Sequence, residues 1–136
     1  VIKLINKYST EKEILDYIET HSMHFLFISE SDCWPMQYIN AAAEIASKNY
    51  GLNFLYYFNE KKWAIPYLEV ASNRAMEEDC CNFVYYFFDK PWAKPYLNSA
   101  LEIIAKNNPE YYIDKLSVDY PDYMIVALYS IVDKNC

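Results

Sequence analysis

Between Ala93 and Lys106 the apolar residues are Ala93, Tyr96, Leu97, Ala100, Leu101, Ile103 and Ile104. Their spacing of three and four predicts an amphipathic helix with one buried stripe. A shorter and denser apolar block, Phe83 to Phe88, precedes it and predicts a short helix. Pro35, Pro66 and Pro95 are each expected in the first turn of a longer helix, where a missing N–H costs nothing. Thr10 with Glu13 predicts a capped helix start ahead of Ile14, Leu15 and Ile18. Tyr120-Pro121-Asp122 opens a final helix expected to run through Val132.

This pattern repeats. Trp34, Trp63 and Trp92 are each 29 residues apart. On that period Asn53-Phe54-Leu55-Tyr56-Tyr57-Phe58 aligns with Asn82-Phe83-Val84-Tyr85-Tyr86-Phe87, and Trp63-Ala64-Ile65-Pro66-Tyr67-Leu68 with Trp92-Ala93-Lys94-Pro95-Tyr96-Leu97. Twelve of 29 positions are identical. An earlier copy keeps Phe25, Trp34, Tyr38, Ala42 and Ala46 in phase, and shares Asn40, Glu44, Ile45, Lys48 and Asn49 with Asn98, Glu102, Ile103, Lys106 and Asn107. A last, degenerate copy loses two residues, so that Ala127-Leu128 matches Ala100-Leu101.

A pair of short helices cannot bury its apolar faces alone, but stacked pairs can. The chain is therefore expected to be all-α: a right-handed α-solenoid of about four helical hairpins in one domain. The cap is residues 1–23, the repeats 24–52, 53–81 and 82–110, and the degenerate last repeat 111–136. Over residues 24–136 the Pro/Trp turn and the Ala-centred second helix resemble short HEAT-like repeats. Trp63, Trp92, Tyr67, Tyr96, Leu68, Leu97, Ala71 and Ala100 are the expected core, because they recur in phase. The aromatic blocks around Tyr56-Tyr57 and Tyr85-Tyr86 are expected to pack one copy against the next, with a minority of tyrosines exposed.

Composition narrows the chemistry. The 136 residues (16.2 kDa) are 54% hydrophobic and 23% charged, which excludes disorder. A single glycine, Gly51, excludes Gly-rich phosphate cradles and argues against sandwiches and barrels. Net charge is −7 and the pI about 4.7, which opposes nucleic acid and anionic membrane as partners and favours a basic protein. No apolar run approaches the about 20 residues that span a bilayer, and Val1 to Lys7 is too short for a signal peptide. Cys33, Cys80, Cys81 and Cys136 form no Cys-x-x-Cys pair, and Cys80 and Cys81 are adjacent. Together these features predict a reduced, cytoplasmic protein in which no disulfide, metal or cofactor is required for folding.

Few residues carry candidate chemistry. His21 and His24 lack a third ligand nearby, and Glu77-Glu78-Asp79 lacks calcium-loop spacing. Glu30 with Asp32, or Asp119 with Asp122, could pair as acids, but nothing places them across a cleft, and no enzyme activity is expected. One pattern stands out. Two positions four apart stay polar in each second helix: Asn40 and Glu44, Glu69 and Asn73, Asn98 and Glu102. In a solenoid these six would line one acceptor-rich face, the expected partner-binding surface. The loops with Glu30, Asp32, Glu60 and Asp89 are the next candidate.

In size and charge the chain resembles bacterial immunity proteins, which implies a non-catalytic inhibitor that neutralises a basic toxin domain by direct binding. The alternative is a HEAT-like scaffold that docks a peptide or protein. A HEAT-like DNA-repair glycosylase is opposed by the charge, since such an enzyme needs a basic groove.

Overall fold

The computed structural model describes residues 5–6 and 8–135, without the side chains of 134 and 135; Cys136 and Val1 to Leu4 lie outside the described residues, as does Lys7. Among the described residues the chain is helical, with no strand. It divides into two compact units, Val1–Arg74 and Ala75–Cys136.

The first unit holds α1 (Glu11–Ser31), α2 (Met36–Asn49), α3 (Gly51–Phe58), a 3-10 turn (Lys62–Tyr67) and the start of α4 (Leu68–Phe87). At the head of α1 the predicted capping box is present: Glu13 N–H donates to Thr10 Oγ1 at 3.2 Å, and Thr10 N–H to Glu13 Oε1 at 2.9 Å. α1 packs against α2, which also meets α3 and the 3-10 turn. The second unit holds the end of α4, a 3-10 turn (Pro91–Ala93), α5 (Lys94–Asn107), α6 (Pro109–Tyr111), a π turn (Tyr112–Leu116), a 3-10 turn (Pro121–Tyr123) and α7 (Met124–Asn135). There α5 packs against α6 and α7.

The helices break at His21 (φ −134°, ψ 44°), Tyr50 (−135°, 57°), Asp79 (−162°, 94°) and Asn108 (−129°, 59°). Each break comes 29 residues after the last. At two of them the same bonds close the corner. Tyr50 N–H donates to Ala46 O (2.8 Å) and Asn108 N–H to Ile104 O (2.7 Å), finishing one helix. The carbonyls of Tyr50 and Asn108 then accept from Phe54 and Tyr112 N–H, starting the next. No described residue has positive φ, glycine included. These corners use negative φ that any side chain tolerates, which explains how one glycine suffices. The first break lies at His21, inside the expected 1–23 cap, so the first short helix starts earlier than residue 24.

After α3 and after the end of α4 a tryptophan turn follows. Lys61 and Lys90 are extended, and their carbonyls accept from Ala64 and Ala93 N–H, each at 3.0 Å. Trp63 lies against Phe54 and Phe58 (centroids 6.1 and 5.4 Å). Trp92 lies against Phe83 and Phe87 (6.4 and 5.4 Å). The phenylalanines are fully enclosed, whereas both indoles are half-buried, as are Tyr67, Tyr96 and Leu97. Of the expected core, Leu68, Ala71 and Ala100 are buried, and the aromatic members form its margin.

The last copy has no tryptophan and solves its turn differently. Tyr112 stands where the others have Phe25, Phe54 and Phe83, and is fully buried. Its hydroxyl donates to Tyr120 O and accepts from Tyr123 N–H at 3.0 Å. A buried hydroxyl bonded to the turn thus replaces an indole packed on it.

Ala71 and Ala100 have no exposed surface, leaving no room for a larger side chain. Ala100→Leu is expected to cost about 1–3 kcal/mol through overpacking. An unchanged melting temperature would remove Ala100 from the packed junction.

Candidate functional site

Each second helix buries one stripe and leaves the other wet. In α2, Tyr38, Ile39, Ala42, Ala43, Ala46 and Ser47 are buried, which puts Asn40 and Glu44 in solvent. At the start of α4, Leu68, Ala71 and Ser72 are buried, and Glu69 and Asn73 are exposed. In α5, Ala100, Leu101, Ile104 and Ala105 are buried, and Asn98 and Glu102 are exposed. The first four belong to the first unit and the last two to the second.

Two kinds of neighbour flank these residues that the polar pattern alone does not predict. The first is a lysine one turn on. Lys48 Nζ lies 3.2 Å from Glu44 Oε1, and Lys106 Nζ 3.1 Å from Glu102 Oε1. Those pairs offset two of the three carboxylates, so the helices are less acidic than the six residues alone suggest. Among the described residues Glu69 has no ion pair. The shared Lys48 and Lys106 were the signal in the sequence, at the i+4 spacing that pairs with glutamate.

The second neighbour is a tyrosine. In the first unit the Tyr67 phenol is pushed up, first by burial and then by the Glu44 carboxylate. In the second unit Tyr123 hydroxyl donates to Asn98 Oδ1 at 3.0 Å. Its phenol is pushed up by burial, then by Glu102, Asp122 and Tyr112. In both units, therefore, a phenol is close enough to a second-helix carboxylate to feel its charge, and in the second unit it is hydrogen-bonded to the polar stripe at Asn98.

The remaining candidates are absorbed by local structure. His21 stacks on Tyr17 at 4.7 Å, and His24 Nδ1 is hydrogen-bonded to the Tyr17 hydroxyl. Asp79 accepts from Asn82 N–H at 3.1 Å and from Asn82 Nδ2 at 2.9 Å. Glu30 pairs with Lys61 at 3.3 Å; Asp32, Glu60 and Asp89 are exposed. No group of three potential metal ligands converges among the described residues. Nor is any described helix long and apolar enough to cross a membrane.

Cys33, Cys80 and Cys81 are free thiols. Cys80 is buried, and its Sγ–H donates to Ala100 O at 3.2 Å. Burial, then Cys81 and Asp79, push its pKa from 9.0 up to about 12. An acid whose pKa rises on folding favours the folded state below its unfolded pKa and loses that preference as pH climbs. Stability should therefore fall between about pH 9 and 12. Urea midpoints at high pH should drop more for the wild type than for Cys80→Ala; equal drops would show that the thiol stays solvated.

The tyrosine blocks meet expectation in part: Phe27 of the copy 24–52 packs on Tyr57 and Phe58 of the next (4.9 and 5.2 Å), but the exposed tyrosines are more than a minority of each block. Tyr56, Tyr57, Tyr85 and Tyr86 are exposed, as is Phe88, and the inward positions belong to Phe54, Leu55, Phe58, Phe83, Val84 and Phe87. In the second unit Tyr85, Phe88, Tyr111 and Tyr120 line an open cleft of about 730 Å³, with Lys115 and Asp119.

No protein-family model matches the chain, and neither a curated protein nor a solved structure matches it.

Proposed function

We propose that this chain is a non-catalytic protein-binding module of the cytoplasm that holds a basic partner, as an immunity protein holds a toxin domain. The observation that carries the reading is the exposure of all six polar second-helix residues, with tyrosines beside Glu44 and Glu102. The net charge of −7 sets the sign of the partner. We read the chain as a succession of 29-residue helical hairpins of the HEAT-like kind, a reading supported by the breaks at His21, Tyr50, Asp79 and Asn108. A scaffold that docks a peptide is the second reading, favoured by the aromatic cleft at Tyr85, Phe88 and Tyr111.

The test is affinity capture from the native host at about 0.05 and 0.5 M salt, followed by binding of the purified candidate. A basic protein should be retained and then released by salt, as screening shortens from about 14 Å to about 4 Å. Retention unaffected by salt, or of an acidic protein through Tyr85 and Phe88, would favour the scaffold.

A further inference from the structure

The last helix shows different residues to water from those of the other second helices. With Ala127-Leu128 aligned on Ala100-Leu101, Ile125 and Tyr129 of α7 replace Asn98 and Glu102 of α5. Leu128 and Val132 take the places of Leu101 and Ala105, which are buried. All four α7 residues are exposed: Ile125 by 67%, Leu128 by 49%, Tyr129 by 67% and Val132 by 54%. Their spacing of three, one and three puts them on one stripe of α7. The other side of the helix, which carries the fully buried Ala127, packs on α5 and α6.

We propose that α7 is a self-association surface, which pairs stripe to stripe with α7 of a second copy of this chain about a two-fold axis. Three observations choose a second copy over the basic partner. The stretch from Tyr123 through Val132 carries no charge, so it offers a basic protein nothing complementary. In a chain of net charge −7 it is also a surface on which two copies can meet without opposing carboxylates along the contact. The third is size. Four side chains left bare to this degree present roughly 500 Å², so a symmetric pair covers on the order of 1,000 Å², where specific interfaces begin. An isologous contact needs a patch complementary to itself, which an uninterrupted apolar stripe is.

The measurement is the mass in solution of the full chain, by sedimentation equilibrium from about 5 to 200 µM, at about 0.15 and 0.5 M salt. Mass should rise with concentration from 16.2 kDa toward twice that value. It should rise further in high salt, which screens repulsion between two chains of like charge. This is opposite to the salt response of the basic-partner complex, so each proposal can fail alone. Ile125→Asn with Tyr129→Glu, which restores the α5 residues, should abolish the dimer and leave the helical circular dichroism intact. Should that variant unfold, Leu128→Lys replaces it. A wild type monomeric at 200 µM, a dimer that survives both variants, or open-ended polymers would each overturn the proposal.

Discussion

Phe54→Ala is expected to cost about 3–5 kcal/mol, the largest loss of any single change considered. Phe54 has no exposed surface, and its ring lies 5.8 Å from Phe58 and 6.1 Å from Trp63. Truncation removes the contacts of a whole ring and leaves a cavity walled by two others, neither of which can move far in a close-packed interior. A chain of this size has a total stability of about 5–15 kcal/mol, so the loss should be evident in any denaturant titration. The control is Tyr57→Ala, three residues on. Tyr57 is exposed and touches Phe27 at its edge (4.9 Å), so its loss should cost about 1 kcal/mol or less. Equal costs for the two would mean that the aromatic block is not divided into a buried and an exposed face.

That division was only half legible from the sequence. Asn-Phe-Leu-Tyr-Tyr-Phe reads as uniformly apolar, and periodicity cannot orient a helix that has no polar side. Chemistry orients it: tyrosines keep a hydroxyl to hydrate, so phenylalanine and leucine take the interior. The same reasoning explains the half-buried Trp63 and Trp92, large rings that rarely disappear entirely. The alanines and the capping box were readable because each answers to a single local constraint. Of the three prolines only Pro95 sits in the first turn of its helix, whereas Pro35 is the N-cap of α2 and Pro66 lies inside the 3-10 turn ahead of α4. The corner residues were not readable. His21, Tyr50, Asp79 and Asn108 share no side-chain chemistry, because corners with φ between −129° and −162° ask for none. For that reason the first break was hidden in the cap, although it is in phase with the others. The polar pairs of the second helices were legible as exposed positions. Their lysine and tyrosine neighbours depend on contacts one turn away or in the next hairpin, which a list of polar positions does not contain. The hydroxyl of Tyr112, bonded to Tyr120 and Tyr123, likewise replaces a missing tryptophan through bonds that no residue type announces.

Reversing Glu69 and Glu102 to lysine is expected to weaken the basic-partner complex by about tenfold to a hundredfold. An exposed ion pair contributes roughly 0.2–1 kcal/mol. Reversal exchanges attraction for repulsion and about doubles that figure at each site, for a total of roughly 0.8–4 kcal/mol, the middle of which, about 1.4–2.7 kcal/mol, is tenfold to a hundredfold. Glu69 should account for the larger share, since Glu102 already shares its charge with Lys106 at 3.1 Å. The loss should appear mainly in the association rate at low salt, because long-range attraction steers encounter. It should shrink as salt approaches about 0.5 M, where screening falls to about 4 Å. Folding should suffer little. Both carboxylates are exposed, and the Glu102 change forfeits one i,i+4 pair and sets two ammonium groups together, at less than about 1 kcal/mol. Glu102→Gln separates the two effects: it removes the charge without the new repulsion and should weaken binding by no more than about threefold. Binding kinetics of the double variant against the wild type, read at three salt concentrations with melting curves alongside, decide the matter. If the double variant binds at the wild-type rate in low salt, the second-helix carboxylates do not meet the partner. The exposed acids Asp32, Glu60 and Asp89, at the turns that follow each short helix, would then be reversed next.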